Sequence, residues 1–236
     1  MVVRTILAGL VVVLFTLIFI PLLLLCFILR LRQPLIGLAK FALRLTALAA
    51  GLKVDVSGLE HIDKKGVYIF MSNHLSFIDG PLLFLLIPRR LGVILKKQLF
   101  RIPVIGQGMS YLGFVPVNRK GVKQGRRAIN RAADLMRRKR YSFLIFPEGT
   151  RSRDGRLQPF KRGGFFLAAE AGVPIIPLSV EGTFALMPRG SFWVQSGRIH
   201  VRFHPALPLG RPDHQGLAEV MEKTRAAIAS GLSKEG

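Results

Sequence analysis

Ser72-Asn73-His74-Leu75-Ser76-Phe77-Ile78-Asp79 is a polar turn between two apolar segments of different character. Before it, Val67-Tyr68-Ile69-Phe70-Met71 is a short continuous apolar run rich in β-branched and aromatic residues, the pattern of a buried strand. After it, Pro81-Leu82-Leu83-Phe84-Leu85-Leu86 reads as a helix with proline in its opening turn. A strand that ends in a polar turn and feeds a helix is the unit of an α/β domain, and such turns commonly carry the chemistry. His74 can take a proton near neutral pH, and a nearby carboxylate, Asp79, can fix its tautomer. The plainer alternative is an ordinary loop histidine with Asp79 as a helix N-cap.

Outward from this turn the same alternation recurs. Leu91–Lys96, Gly113–Val117, Ser142–Phe146, Ile175–Val180 and Ile199–Phe203 read as strands. Gly121–Arg140, Gly163–Ala171 and Gln215–Leu232 read as helices between or after them. This predicts an α/β sandwich with a mixed, largely parallel sheet, beginning near residue 53 and running to 236. Arg119–Arg140 is dense in Lys and Arg, with Asp134 as its one acid. Ala128, Ile129, Ala132, Ala133 and Met136 hold one apolar helical face there, so the outer face is basic. That face is either simply solvated or turned toward anionic lipid.

Residues 1–52 differ in kind. No charged residue occurs from Ile6 to Leu29, and at 1.5 Å per residue this run suffices for a hydrocarbon core of about 30 Å. Small residues at a cleavage site, which would mark a removable signal, do not follow it. The predicted element is a transmembrane or re-entrant segment over 6–29; a core helix, or a hairpin broken at Pro21, is the alternative. Arg4 precedes the run, whereas Arg30, Arg32, Lys40 and Arg44 follow it, which puts the following domain on the cytoplasmic side of the inner membrane. Residues 35–52 suit an amphipathic helix with Lys40 and Arg44 toward lipid phosphate, or a helix packed on the domain.

The balance of 35 Lys+Arg against 13 Asp+Glu gives a formal charge of +22 in a chain that is 50% hydrophobic. An apolar anchor beside a basic surface facing anionic lipids reconciles the two; nucleic acid is the other usual partner of so basic a chain. The single cysteine, Cys26, excludes an intramolecular disulfide and a cysteine-based zinc site. No His/Cys/carboxylate cluster has metal-ligand spacing, and no G-x-S-x-G elbow marks a serine nucleophile.

Three further stretches end apolar strands with chemically capable residues. Phe146-Pro147-Glu148-Gly149-Thr150-Arg151-Ser152 offers hydroxyls, a flexible glycine and a guanidinium to a phosphate. Gly113-Phe114-Val115-Pro116-Val117-Asn118-Arg119 delivers another arginine. Val173-Pro174-Ile175-Ile176-Pro177-Leu178 brackets an apolar strand with prolines, which places it at a sheet edge or a pocket wall. Lys161 and Arg162 add cations before a helix.

In order and content, H-x4-D, G-x-V-P-V-x-R, F-P-E-G-T-R-S and V-P-I-I-P resemble the four blocks of the glycerolipid acyltransferases, above all the bacterial 1-acylglycerol-3-phosphate acyltransferases. The resemblance runs from about Asn73 to Leu178. It implies that His74 is the general base that deprotonates the lysolipid hydroxyl and that Asp79 orients it. It assigns the acceptor site to Arg119, Glu148, Gly149, Thr150 and Arg151, with Pro177 lining the pocket. The donor is acyl-CoA or acyl carrier protein, transfer is direct, and no cofactor or metal is needed. The product with lysophosphatidate is phosphatidate; lyso-ornithine lipid or another lysolipid is the alternative acceptor. A non-catalytic basic protein that binds nucleic acid or coats membranes explains the charge but not these spacings.

Overall fold

The computed structural model describes residues 2–29, 31–102, 105–117, 122–209 and 214–233. Two helices, α1 (Val2–Ile28) and α2 (Gln33–Ala49), precede the domain and pack on each other. Pro34, in the first turn of α2, stands where a missing N–H costs nothing. The described strands form one sheet: β1 (Leu52–Ser57), β2 (Ile69–Ser72), β3 (Leu91–Lys96), β4 (Val115–Val117), β5 (Ser142–Ile145), β6 (Ile175–Glu181) and β7 (Gly197–Phe203). Their order is β1-β7-β6-β2-β5-β3-β4. All neighbours run parallel except β6 and β7, so the sheet is mixed and mostly parallel, as the alternation predicts.

Side-chain alternation along the central strands divides the core in two. Phe70, Leu144, Ile176, Leu178 and Val180 pack with Leu82, Leu83 and Ile87, from or just after helix α3 (Asp79–Leu86). Ile69, Met71, Phe143 and Ile175 face the other way. There they meet Ala132 and Met136 of α5 (Val122–Lys139), Phe165 and Leu167 of α6 (Gly163–Ala171), and Leu217 of α7 (His214–Ser230). Both faces of the sheet are thus covered, as parallel sheets require. Fully burying a side chain such as Phe70 contributes on the order of 2–3 kcal/mol.

Two elements lack a sequence signal, and two features decide between alternatives that the sequence leaves open. Strand β1 pairs with β7 along its whole length, yet Leu52-Lys53-Val54-Asp55-Val56-Ser57 carries charges on its exposed face and signals a strand weakly. Helix α4 (Ile105–Tyr111) contains Gly106 and Gly108, which lower helix propensity, so it too lacks a sequence signal. The Ile175–Leu178 segment is not at an edge: β6 lies between β7 and β2. The Pro177 carbonyl accepts the N–H of His204, beyond the end of β7. The edge of residue 177 facing β7 therefore lies past the regular ladder, and the missing N–H interrupts no pairing within it. Finally, Lys40 does not point away from the protein. It is half-buried with its ammonium over the Phe84 ring, 5.9 Å from the centroid, and burial foremost, then Arg44, lowers its pKa.

Among the described residues no helix is long and apolar enough to cross a membrane, and the helix continues through Pro21 without breaking into a hairpin there. The domain grips α1 at both ends. Near the start, Arg4 donates to the Ser196 hydroxyl and Val194 N–H donates to Thr5 Oγ1 at 3.1 Å. Near the end, Tyr111 Oη donates to the Cys26 carbonyl at 3.4 Å, while Cys26 and Leu35 pack with Leu22 and Tyr111. Arg32 then ties the connection down, bonding the Tyr111 carbonyl and, at 3.0 Å, the Tyr141 hydroxyl. Helix α1 consequently lies along the domain and does not project from it.

Candidate active site

Strands β2, β5 and β6 are adjacent and parallel, so their carboxyl ends open on one edge of the sheet. The segments that follow them, 73–79, 146–152 and 182–196, therefore emerge side by side, where open α/β sheets place their sites.

Asp79 begins α3 and is fully buried. Its Oδ2 accepts three N–H groups: Leu75 at 2.7 Å, Ser76 at 2.8 Å and His74 Nδ1 at 2.9 Å. The two backbone donors fold the turn around the carboxylate, and the third fixes the imidazole. With Nδ1–H given to Asp79, Nε2 is left as the nitrogen able to accept a proton. The His74 side chain keeps 20% of its surface exposed, so that nitrogen is approachable. The ring stacks on Phe146 at 3.9 Å between centroids and 17° between planes, which restricts its tilt.

The second loop clasps the first. Glu148 Oε1 accepts the backbone N–H of His74 at 2.7 Å, and Oε2 accepts that of Gln158 at 3.0 Å. Ser152 N–H donates to the His74 carbonyl at 2.8 Å. Both backbone groups of His74 are thus held by residues of the FPEGTRS stretch. Glu148 is 2% exposed, and burial pushes its carboxyl up to about 7, against the lowering effect of the two N–H donors. Gly149 adopts φ +73°, a left-handed conformation suited to glycine, and a Cβ there would come within 3.0 Å of the Lys161 side chain. Thr150 is exposed, and the Arg151 guanidinium lies 6.0 Å from the centroid of the Phe77 ring. Arg151 and Lys161 thus leave two cations beside the Gly149 turn, a setting for an anionic group.

Other residues complete the centre, and of these Asn73 and Arg189 carried no sequence expectation. Asn73, fully buried, donates from Nδ2 to the Val180 carbonyl and accepts the Val180 N–H, both at 2.8 Å. Ser76 Oγ donates to the Met187 carbonyl at 2.7 Å, the behaviour of a turn residue and not of a nucleophile. Arg189 donates to the Arg151 carbonyl at 3.1 Å. An Asn directly after an apolar strand and beside the histidine was the one signal available in the sequence, since a buried amide demands partners. Pro177 is buried in β6, opposite Met71. Arg119 lies outside the described residues.

A family model described as Acyltransferase matches residues 53–181. The chain belongs to the Acyltransferase family. Relatives and a solved structure agree with that membership. This acyltransferase-family chain is 40% identical over 184 residues to the chloroplastic 1-acyl-sn-glycerol-3-phosphate acyltransferase BAT2 of Brassica napus, covering 77% of this chain and 51% of that one. It is 28% identical over 200 residues to the 1-acyl-sn-glycerol-3-phosphate acyltransferase of Pseudomonas aeruginosa, covering 83% and 75% of the two chains. The chain spans about half the length of the first plant relatives it matches. Its fold is similar to the crystal structure of the 1-acyl-sn-glycerophosphate acyltransferase PlsC from Thermotoga maritima. The TM-score is 0.77 at 25% identity, with 99% of this chain and 98% of that one covered.

Proposed function

We propose that this protein transfers a fatty acyl group from a thioester donor, acyl-CoA or acyl carrier protein, to the free hydroxyl of lysophosphatidate, giving phosphatidate. The observation that carries the reading is the His74 imidazole, its Nδ1–H held by buried Asp79 and its Nε2 left as acceptor. An alcohol is a weak nucleophile and needs a positioned base. In the reaction, Nε2 takes the hydroxyl proton as the oxygen bonds to the thioester carbonyl carbon. Collapse of the tetrahedral intermediate breaks the C–S bond, and the proton passes from Nε2 to the departing thiolate. Asp79 balances the imidazolium between these steps. Arg151, Arg119 and the Gly149–Thr150 turn receive the acceptor's phosphate, which brings its hydroxyl toward His74 and lowers the entropic barrier. Pro177 supports the pocket wall. Glu148 has both oxygens committed to backbone donors, which favours a role in holding His74 over one in binding acceptor.

Attachment to the cytoplasmic face of a membrane belongs to this reading, since both acceptor and product are lipids. Ile6, Leu10, Val13 and Leu17 recur at helical spacing along α1, and each is more than half exposed. A helix held against its domain at both ends with an apolar stripe outward suits burial in the headgroup boundary in place of a span, and anionic lipids match the charge of +22.

The deciding experiment offers purified protein labelled oleoyl-CoA or acyl carrier protein with a panel of lysolipids. Preferential acylation of lysophosphatidate is expected, and turnover disappears in His74→Ala. Preference for lyso-ornithine lipid or another lysolipid would reassign the acceptor. Acyl transfer retained by a folded His74→Ala protein would sink the general-base assignment.

A further inference from the structure

The segment Met187–Ser196 joins the site to the outside of the molecule. At its start the Met187 carbonyl accepts Ser76 Oγ–H, and Arg189 donates to the Arg151 carbonyl, so both loops of the His74 centre are bonded to it. At its end Val194 N–H donates to Thr5 Oγ1, and the Ser196 hydroxyl accepts from Arg4, both on the first turns of α1. Between these fixed ends stand two large apolar side chains with no core to enter. Phe192 is 85% exposed and Trp193 is 46% exposed. Their backbone is shaped, not loose: Ser191 Oγ accepts Trp193 N–H at 3.0 Å and donates to the Trp193 carbonyl at 3.1 Å.

We propose that Phe192 and Trp193 form an interfacial anchor that enters the headgroup layer of an anionic bilayer beside α1 and seats the His74 centre on the lipid surface. The proposal rests on the membrane reading above and extends it to a second, separate element. Three observations select lipid as the occupant. The loop that carries the aromatic pair is bonded through Arg4 and Thr5 to the start of α1, where the exposed apolar stripe begins at Ile6. Phe and Trp beside an exposed arginine, here Arg189, is a composition suited to the boundary between acyl chains and phosphates. The chain's positive charge complements an anionic surface. The consequence is geometric: the carboxyl-end edge of the sheet, where 73–79 and 146–152 emerge, faces the membrane from which the lysolipid arrives.

Trp193 is the only tryptophan in the chain, so its fluorescence reports this loop alone. The full-length protein is mixed with phosphatidylglycerol–phosphatidylcholine vesicles, and co-sedimentation and emission are read together. The expected result is co-sedimentation with emission shifted to shorter wavelength, quenched more by lipids brominated near the headgroup than near the chain end. Co-sedimentation with unchanged emission overturns the anchor while leaving membrane attachment intact; no co-sedimentation overturns both. An emission shift with acyl carrier protein but not with vesicles overturns lipid as the occupant. In the Phe192→Ser/Trp193→Ser variant, turnover of vesicle-borne lysophosphatidate should fall several-fold while turnover of a dispersed short-chain acceptor stays unchanged. Equal loss on both substrates overturns the proposal.

Discussion

Glu148 Oε1 accepts the backbone N–H of His74 at 2.7 Å, joining two loops that are 74 residues apart in sequence. The other oxygen holds Gln158, so each carboxylate oxygen is engaged by a backbone donor. The bond fixes the His74 backbone against the second loop, and the role proposed for Glu148 is to act on the reaction through His74.

Glu148→Gln tests that role. An amide can accept one of the two N–H groups but turns an NH₂ toward the other, leaving a buried donor facing a donor. The kcat should fall about 10–100-fold, while the acceptor KM stays within about twofold of wild type. A large rise in acceptor KM with kcat preserved would return Glu148 to the binding site.

Two buried groups give stability opposite dependences on pH over overlapping ranges. Glu148 rises from 4.5 to about 7 through burial foremost, opposed by the His74 and Gln158 N–H groups, with Asp79 and Asp154 adding to the rise. The folded chain holds this proton more tightly than the unfolded chain, so the stability it supplies is full below 4.5 and is lost as pH rises through about 7. His204 bonds Ser179 Oγ at 2.7 Å and is lowered from 6.5 to about 4 by burial, then by Arg202 and His61. Its stability is full above 6.5 and is lost as pH falls toward about 4. Each span is worth up to about 3 kcal/mol. Thermal unfolding across this range should show Glu148→Gln gaining stability as pH rises and His204→Gln losing it, with wild type flatter than both. A wild-type curve steeper than either variant's would break the pairing.

Asp79→Asn probes the charge apart from the geometry. With its oxygen in the Oδ2 position, the amide can still accept from Leu75, Ser76 and His74, but it cannot balance an imidazolium. The kcat should drop roughly 10²–10⁴-fold with the fold retained. Activity within twofold of wild type, in protein of normal melting temperature, would remove Asp79 from the mechanism.

These residues divide by how local their signal is. The relation of His74 to Asp79 is closed within one turn and was legible from spacing, as was the strand–turn–helix unit that carries it. The clasp by Glu148 and the pairing of Asn73 with Val180, 107 residues away, depend on β2, β5 and β6 lying side by side. No local pattern encodes that order. The prolines point to a sheet edge or a pocket wall; β6 is interior, and the irregularity at Pro177 is the end of β7. Lys40 over Phe84 takes the second of the two alternatives for α2, packing on the domain; spacing gives the pitch of a helix but not which face meets the domain. Exposed charges in β1 and glycines in α4 hid elements whose stability comes from their neighbours.

The Asn73 pairing gives the last test. Its amide satisfies both the N–H and the C=O of Val180 in a fully buried setting. Aspartate keeps the acceptor but sets a carboxylate oxygen against the Val180 carbonyl, so one bond is replaced by repulsion and a desolvated charge. Asn73→Asp should cost about 2–3 kcal/mol, a fall in melting temperature of roughly 5–10 °C for a chain of this size. Because the next residue is His74, kcat should fall with stability, and Asn73→Ser, which leaves no buried charge, should recover more of the stability than of the rate. An unchanged melting temperature in the Asn73→Asp protein would mean that the end of β2 is not held by β6 in solution.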